Sequence, residues 1–208
     1  MKLRLEGAID DSSGDVRHQL QAADKEVDRL SGIVDDLLAT SREREVAPGA
    51  GGSQAQSSAV ADLGQAVART LHRWETRAAT SGCTLTSSGI DAVAAVAPGD
   101  LDQILDNLVE NAILHAPGPI DIATGRHEGR VTVVVSDHGP GIRAEEVAMV
   151  TDRFFRGHGA KPGGSGLGLA IVRELADRWD GKVSIRSALG TGTSIEVELP
   201  SARGLIGR

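Results

Sequence analysis

The chain has 208 residues, enough by the usual size prior for one well-buried domain of about 150 residues and a smaller appendage. Its net charge of -7, with Lys and Arg scattered rather than massed, supplies no basic field for phosphates and argues against a nucleic-acid partner. A single cysteine, Cys83, excludes an intrachain disulfide, and no apolar run is long enough to span a bilayer, so the chain as given reads as cytoplasmic.

Leu3, Leu5 and Ile9 suggest a short helical piece, separated by the turn-rich stretch from Asp10 to Asp15 from a longer helix. In that second helix Val16, Leu20, Ala23, Val27, Leu30, Val34 and Leu37 recur at heptad spacing, which predicts a seam running to about Arg42. Residues 1–45 therefore read as a helical hairpin with a stunted first arm, whose apolar seam needs a partner. Val46 to Ser58 is rich in Ala, Pro, Gly, Ser and Gln and reads as a linker.

From Ala59 to Thr80 the pattern predicts an amphipathic helix, and Thr84 to Val96 one or two short β segments. A further helix opens with Asp100 as N-cap and is stopped by Pro117-Gly118-Pro119. Strands follow at Ile120 to Thr124 and Arg130 to Ser136. A helix from Leu167 to Asp180 ends on Gly181 as C-cap, and strands Lys182 to Ser187 and Thr193 to Leu199 complete a domain over 59–200, leaving 201–208 as a tail. Strands clustered with helices imply an α+β fold.

On the helix that holds them, Asn107 and Asn111 are four apart and share a polar face with Glu110. Two amide oxygens so placed suit a hard, oxygen-preferring ion or a hydrogen-bonded ligand, although an isolated pair of this kind is more often a solvated surface. Downstream, the apolar strand Val131 to Val135 runs into Ser136-Asp137-His138-Gly139-Pro140-Gly141-Ile142. A carboxylate ending a buried strand needs hydrogen bonds, and the glycines let backbone approach a flat ligand; an ordinary β-turn accounts for the glycines but not the acid. The third piece, Gly163-Gly164-Ser165-Gly166-Leu167-Gly168, leads directly into a helix whose first amides suit phosphate. It is neither a P-loop, lacking Gly-Lys-Ser/Thr, nor a nucleophile elbow, since Leu167 stands where the last glycine is required.

In order along the chain, these segments resemble the nucleotide-binding boxes of sensor histidine kinases, within the superfamily that includes DNA gyrase, Hsp90 and MutL. Asn107-Leu108-Val109-Glu110-Asn111 is similar to the N box, Asp137 to Gly141 to the G1 box, and Asp152-Arg153-Phe154-Phe155-Arg156 to the F box. Gly164 to Gly168 is similar to the G2 box and Gly190-Thr191-Gly192-Thr193 to the last glycine motif. The hairpin resembles the latter part of the family's dimerisation domain. The resemblance implies a two-layer α/β sandwich of the histidine-kinase-like ATPase fold, preceded by a truncated antiparallel helical hairpin, with ATP under a lid spanning roughly Thr151 to Gly166.

By the same resemblance, Asp137 accepts a hydrogen bond from the adenine amino group, with Gly139, Gly141, Ile142 and Thr193 nearby. Asn111 ligates Mg²⁺ and Asn107 supports the triphosphate. Glu110 is the general base, and Phe155, Arg156, Lys161 and the stretch Gly164, Ser165, Gly166, Leu167 and Gly168 complete the ATP site. The resemblance further implies relay of phosphate from a histidine to a response-regulator receiver domain, a homodimer formed through the hairpin, and a membrane-anchored parent protein. Two positions depart from the family. Leu114 stands where a Lys or Arg often meets phosphate, with His115 beside it as a partial substitute, and no His-Glu-x-x-Arg-Pro acceptor pattern occurs. The expectation is a fragment that does not phosphorylate itself in cis. The alternatives are another ATPase or serine kinase of the superfamily, or a nucleotide-binding dimerisation module without turnover.

Overall fold

The computed structural model describes residues 59–157 and 165–202. The expected hairpin and linker, Lys161, Gly164 and residues 203–208 lie outside the described residues. The elements below all belong to one of two compact units into which the chain divides, Gly49–Lys161 with Gly166–Arg208; Ser165 falls to the other unit.

Strand β1 (Ala61–Asp62) precedes helix α1 (Leu63–Thr80), followed by β2 (Thr84–Gly89), β3 (Val93–Ala94) and helix α2 (Pro98–His115). Then come β4 (Pro119–His127), β5 (Arg130–Asp137), the short α3 (Ala144–Val147), α4 (Gly168–Arg178), β6 (Lys182–Ala188) and β7 (Gly192–Pro200).

Three expected helix boundaries are corrected. The first helix begins at Leu63 rather than Ala59, because Asp62 caps it by accepting the Gln65 amide at 2.9 Å, while Ala61 and Asp62 pair with Ala94 and Val93. Asp100 is not the N-cap of α2: Ala97 holds that position and Pro98 opens the helix, where its missing N–H costs nothing. Asp100 sits inside the first turn and accepts instead from Trp179 Nε1 at 2.5 Å, tying α2 to the end of α4. At that end Asp180, with φ of 53°, takes the left-handed conformation expected of Gly181. Gly181 serves close approach, since a Cβ there would lie 2.6 Å from the Glu198 carbonyl oxygen.

The main sheet has the order β2-β4-β5-β7-β6, with β2 parallel to β4 and every other neighbour antiparallel. β4 and β5 are longer than the apolar pattern alone indicates. Glu128 and Gly129, both with positive φ, form a two-residue hairpin turn that extends pairing to His127 and Arg130. The pleat sorts the residues. Ile120, Ile122, Val131, Val133, Val135, Ile195, Val197 and Leu199 are buried, while Thr132, Ser136, Ser194, Glu196 and Glu198 occupy the partly exposed opposite face. Against the buried face pack Leu101, Ile104, Leu105, Leu108 and Val109 of α2, with Leu63, Ala66 and Val67 of α1 and Val172 and Leu175 of α4. Each such Leu, Ile or Val contributes about 1.5–3 kcal/mol on burial, so this single interface carries the fold. The result is the expected α+β, two-layer sandwich. Ser201 continues the chain past β7 and bridges to Ala94.

Along their exposed sides α1 and α2 form a ladder: Arg69 pairs with Asp102 at 2.8 Å, Arg73 with Asp106 at 3.2 Å and Arg77 with Glu110 at 3.3 Å. Partners rise by four on both helices, so the two run parallel with one ion pair per turn. The arginines are exposed and Asp102 and Asp106 half-buried, and each rung is worth about 0.2–1 kcal/mol; their effect is to fix register.

Candidate functional site

Asp137 ends β5 opposite Thr193 of β7. Its Oδ1 accepts the Gly139 amide at 2.8 Å and the Thr193 amide at 3.2 Å. These bonds pin the carboxyl group and leave Oδ2 without a hydrogen bond among the described residues. The following loop requires its glycines. At Gly139 a Cβ would stand 2.5 Å from the Ala116 side chain at the end of α2, and at Gly141, with φ of 71°, it would stand 2.0 Å from the Ala188 carbonyl oxygen. Ile142 is held by its amide donating to Ser187 Oγ at 2.8 Å. Asp137, Gly139, Gly141, Ile142 and Thr193 thus form one assembly.

The Asp137 loop covers the C-terminal end of α2, and the start of α4 lies against its middle. Asn107 donates Nδ2 to the Gln103 carbonyl oxygen at 2.8 Å, and a Cβ on Gly168 would approach Asn107 Oδ1 to 3.1 Å. The amide is thereby oriented with its acceptor oxygen towards the start of α4. Asn111 lies one turn further along α2 and is half-buried. Between Asn107 and Ala116 the axis of α2 advances about 14 Å at 1.5 Å per residue, a span suited to a nucleoside triphosphate. One end of this path offers a carboxylate for a base. At the other, α4 opens at Leu167 without a side-chain cap, leaving helical amides to meet an anion.

Glu110 is not beside Asp137. It lies on the exposed edge of α2, where Arg77 holds its Oε1, and Arg77 in turn lies 5.2 Å over the Trp74 ring. His115 closes the last turn of α2 and is half-buried, as is Leu114. Of the expected lid, Thr151 to Phe154 forms turns and Phe155 to Gly157 is irregular, with the Phe155 amide donating to Asp152 O at 3.2 Å and Arg156 exposed. Phe154, in left-handed conformation with φ of 65°, donates its amide to Gly166 O at 2.9 Å, joining the two described ends of the segment.

Three contributors carried no motif: Ser187, Arg77 and Glu146, an acid in α3 that is 8% exposed and lies against Gly157. A lone serine in a strand or arginine on a helix has no distinguishing pattern, and their partners are distant in sequence. Two shallow hollows flank the Asp137 end of the sheet. One, of about 430 Å³, is lined by Ser136, Asp137, Arg186, Thr193 and Ser194; the other, of about 530 Å³, by Ile142, Arg143, Glu145, Ser187 and Leu189. Neither reaches Asn107. The first opens towards the partly exposed face of the sheet, away from the helices, and the second lies beside α3; the convergence of Asp137, Asn107 and the α4 amides identifies the site better than either.

No described helix is long and apolar enough to cross a membrane. Residues 97–203 match the family described as histidine kinase-, DNA gyrase B-, and HSP90-like ATPase. A probable sensor histidine kinase of Mycobacterium tuberculosis (strain CDC 1551 / Oshkosh) is 33% identical over 186 residues, covering 88% of this chain and 47% of the relative. The sensor histidine kinase component HK1 of Mycobacterium tuberculosis (strain ATCC 25618 / H37Rv) is 34% identical over 135 residues, 64% of this chain and 80% of that protein. The mycobacterial sensor histidine kinase MprB superposes with a TM-score of 0.62 at 27% identity, over 68% of this chain and 97% of that one. Full-length ShkA in complex with AMPPNP gives a TM-score of 0.65 at 25% identity, over 91% of this chain and 39% of that one. The chain thus spans less than half the length of the first of these relatives. Its matched segment carries the Asn107, Asp137, Gly168 and Thr193 assembly, and the chain belongs to the histidine kinase-, DNA gyrase B- and HSP90-like ATPase family.

Proposed function

We propose that this chain is the catalytic portion of a sensor histidine kinase, transferring the γ-phosphate of ATP to a histidine for relay to a response-regulator aspartate. The observation that carries the reading is Asp137, whose Oδ1 is saturated by two backbone amides while Oδ2 is left to accept from an adenine amino group. Gly139, Gly141, Ile142 and Thr193 form the base end. Asn107, Phe155, Arg156, Lys161 and the stretch from Gly164 through Ser165, Gly166 and Leu167 to Gly168 serve the phosphate end, and His115 belongs to the same ATP site from the last turn of α2.

Among the described residues no three His, Cys, Asp or Glu side chains gather as a resident metal site would require. Amide oxygens are hard neutral ligands, and Asn111, supported by Asn107, fits a Mg²⁺ ion that arrives with the nucleotide and shares its phosphate oxygens. When bound, that ion supplies charge neutralisation at the transferring phosphate. Glu110 takes the proton from, or orients, the attacking imidazole. A receiver domain as phosphate acceptor, dimerisation through the hairpin of 1–45 and membrane anchoring of the parent belong to the same proposal.

The test supplies the chain with γ-labelled ATP·Mg²⁺ and a separate helical hairpin domain carrying a phosphoacceptor histidine. Acid-labile, base-stable label on the hairpin, lost in Glu110→Gln, is expected. Steady ATP hydrolysis without transfer, or label on serine, overturns the proposal in favour of another ATPase or serine kinase of the superfamily.

A further inference from the structure

Three hydrogen bonds meet at the hydroxyl of Ser187, a residue outside every nucleotide-binding box. Its Oγ accepts the Ile142 amide at 2.8 Å, lies 2.9 Å from the Gly192 carbonyl oxygen and 3.0 Å from Thr193 Oγ1. A serine hydroxyl has one proton, and a carbonyl oxygen only accepts. With the Ser187 proton directed to Gly192, the contact with Thr193 is made by the Thr193 proton. The threonine hydroxyl is then committed as a donor to Ser187, and its lone pairs are what remain for a ligand. Thr193 is 7% exposed, so no bulk water competes freely for this arrangement.

Thr193 also donates its amide to Asp137 Oδ1, which places its hydroxyl and Asp137 Oδ2 at the same end of the sheet. We infer that Ser187 is a positioning residue for nucleobase selection: by fixing the Thr193 hydroxyl as an acceptor, it pairs Thr193 with Asp137 as two acceptors that favour a 6-aminopurine over a 6-oxopurine. The inference rests on the reading that the base lies at Asp137. A 6-amino group offers two N–H donors to two acceptors, whereas a 6-oxo group sets its own lone pairs against both. Without Ser187 the Thr193 hydroxyl rotates freely and donates to a 6-oxo oxygen, so discrimination weakens although no group touching the base has changed.

Calorimetry with ATP·Mg²⁺ and ITP·Mg²⁺ on the full chain tests this, because the two nucleotides differ at the six-position. In Ser187→Ala the ATP-over-ITP affinity ratio is expected to fall about five- to tenfold, the scale of one hydrogen bond. Thr193→Val falls to a similar ratio, and Ser187→Ala combined with Thr193→Val falls no further, because Ser187 acts through that hydroxyl. Ser187→Thr and Thr193→Ser, which keep both hydroxyls, retain the wild-type ratio and carry the comparison if Ser187→Ala melts below the assay temperature. An unchanged ratio in Ser187→Ala, additive losses in the double variant, or lost discrimination in the hydroxyl-retaining variants overturns the inference alone. Wild-type ATP affinity in Asp137→Ala overturns it together with the base-site reading.

Discussion

Arg77 Nη2 stands 3.3 Å from Glu110 Oε1, so the acid proposed as general base is held from a neighbouring helix by the third rung of a parallel ladder. The arginine's guanidinium itself lies over the ring of Trp74, whose Nε1 donates to Asp106 at 2.7 Å one turn earlier. Side chains of Arg77 and Glu110 are 60% and 48% exposed, which limits what the pair contributes to stability. Arg77→Ala is expected to cost about 0.2–1 kcal/mol, read as a small drop in melting temperature. Nucleotide affinity stays within about twofold, because the rung contacts neither Asp137 nor Asn107. A large loss of ATP binding in Arg77→Ala would show that Glu110 belongs to the binding surface instead.

The middle rung gives a pH signature. Burial raises the Asp106 pKa above its ordinary value, opposed by the Trp74 hydrogen bond and the nearby Arg73 charge. A carboxyl group whose folded pKa is raised favours the folded state below its unfolded pKa, and that contribution is lost as pH rises through the folded pKa. Asp106→Asn keeps an acceptor for Trp74 and removes the titration. Its stability relative to wild type should therefore improve as pH is raised from about 3.8, the unfolded reference, through the raised folded value. Denaturant midpoints of both proteins across this range check it; a relative stability that falls with rising pH contradicts the burial argument.

Gly141 combines a φ of 71° with a missing Cβ that would lie 2.0 Å from the Ala188 carbonyl oxygen. Gly141→Ala pays for both the left-handed conformation and the clash, about 2 kcal/mol or more, and displaces the loop that Ile142 and Ser187 hold. Urea unfolding and calorimetry should show loss of stability and of ATP affinity together. Gly99→Ala is the control: it lies inside α2, with nothing within 4 Å of the added Cβ, so it should bind ATP normally.

Much of the site was legible because its parts are local. Asn107, Glu110 and Asn111 share one helix, and Asp137 to Gly141 is a continuous strand-to-loop passage, so the ordered motifs and the resemblance they carry, rather than periodicity alone, pointed to them as candidates. The strands β5 and β7 followed from their Val and Ile alternation. What stayed hidden depends on partners far along the chain. Ser187 acquires meaning from Ile142, 45 positions away, and Arg77 from Glu110 on a different helix. Local propensity also misread α2: Asp100 is a good capping residue, but the proline two positions earlier already sets the helical φ, which freed the acid to receive Trp179. Asp180 took the left-handed position because the helix already ends at Arg178 with Trp179 as C-cap, while Gly181 lets the Glu198 backbone approach.

Calorimetric titration of the full chain with a non-hydrolysable ATP analogue, with and without Mg²⁺, tests the proposed ATP site most directly. The account predicts binding that strengthens with Mg²⁺, falls about 10- to 100-fold in Asp137→Ala through loss of a hydrogen bond to a charged acceptor, and persists in Glu110→Ala. Equal affinity in wild type and Asp137→Ala would contradict it.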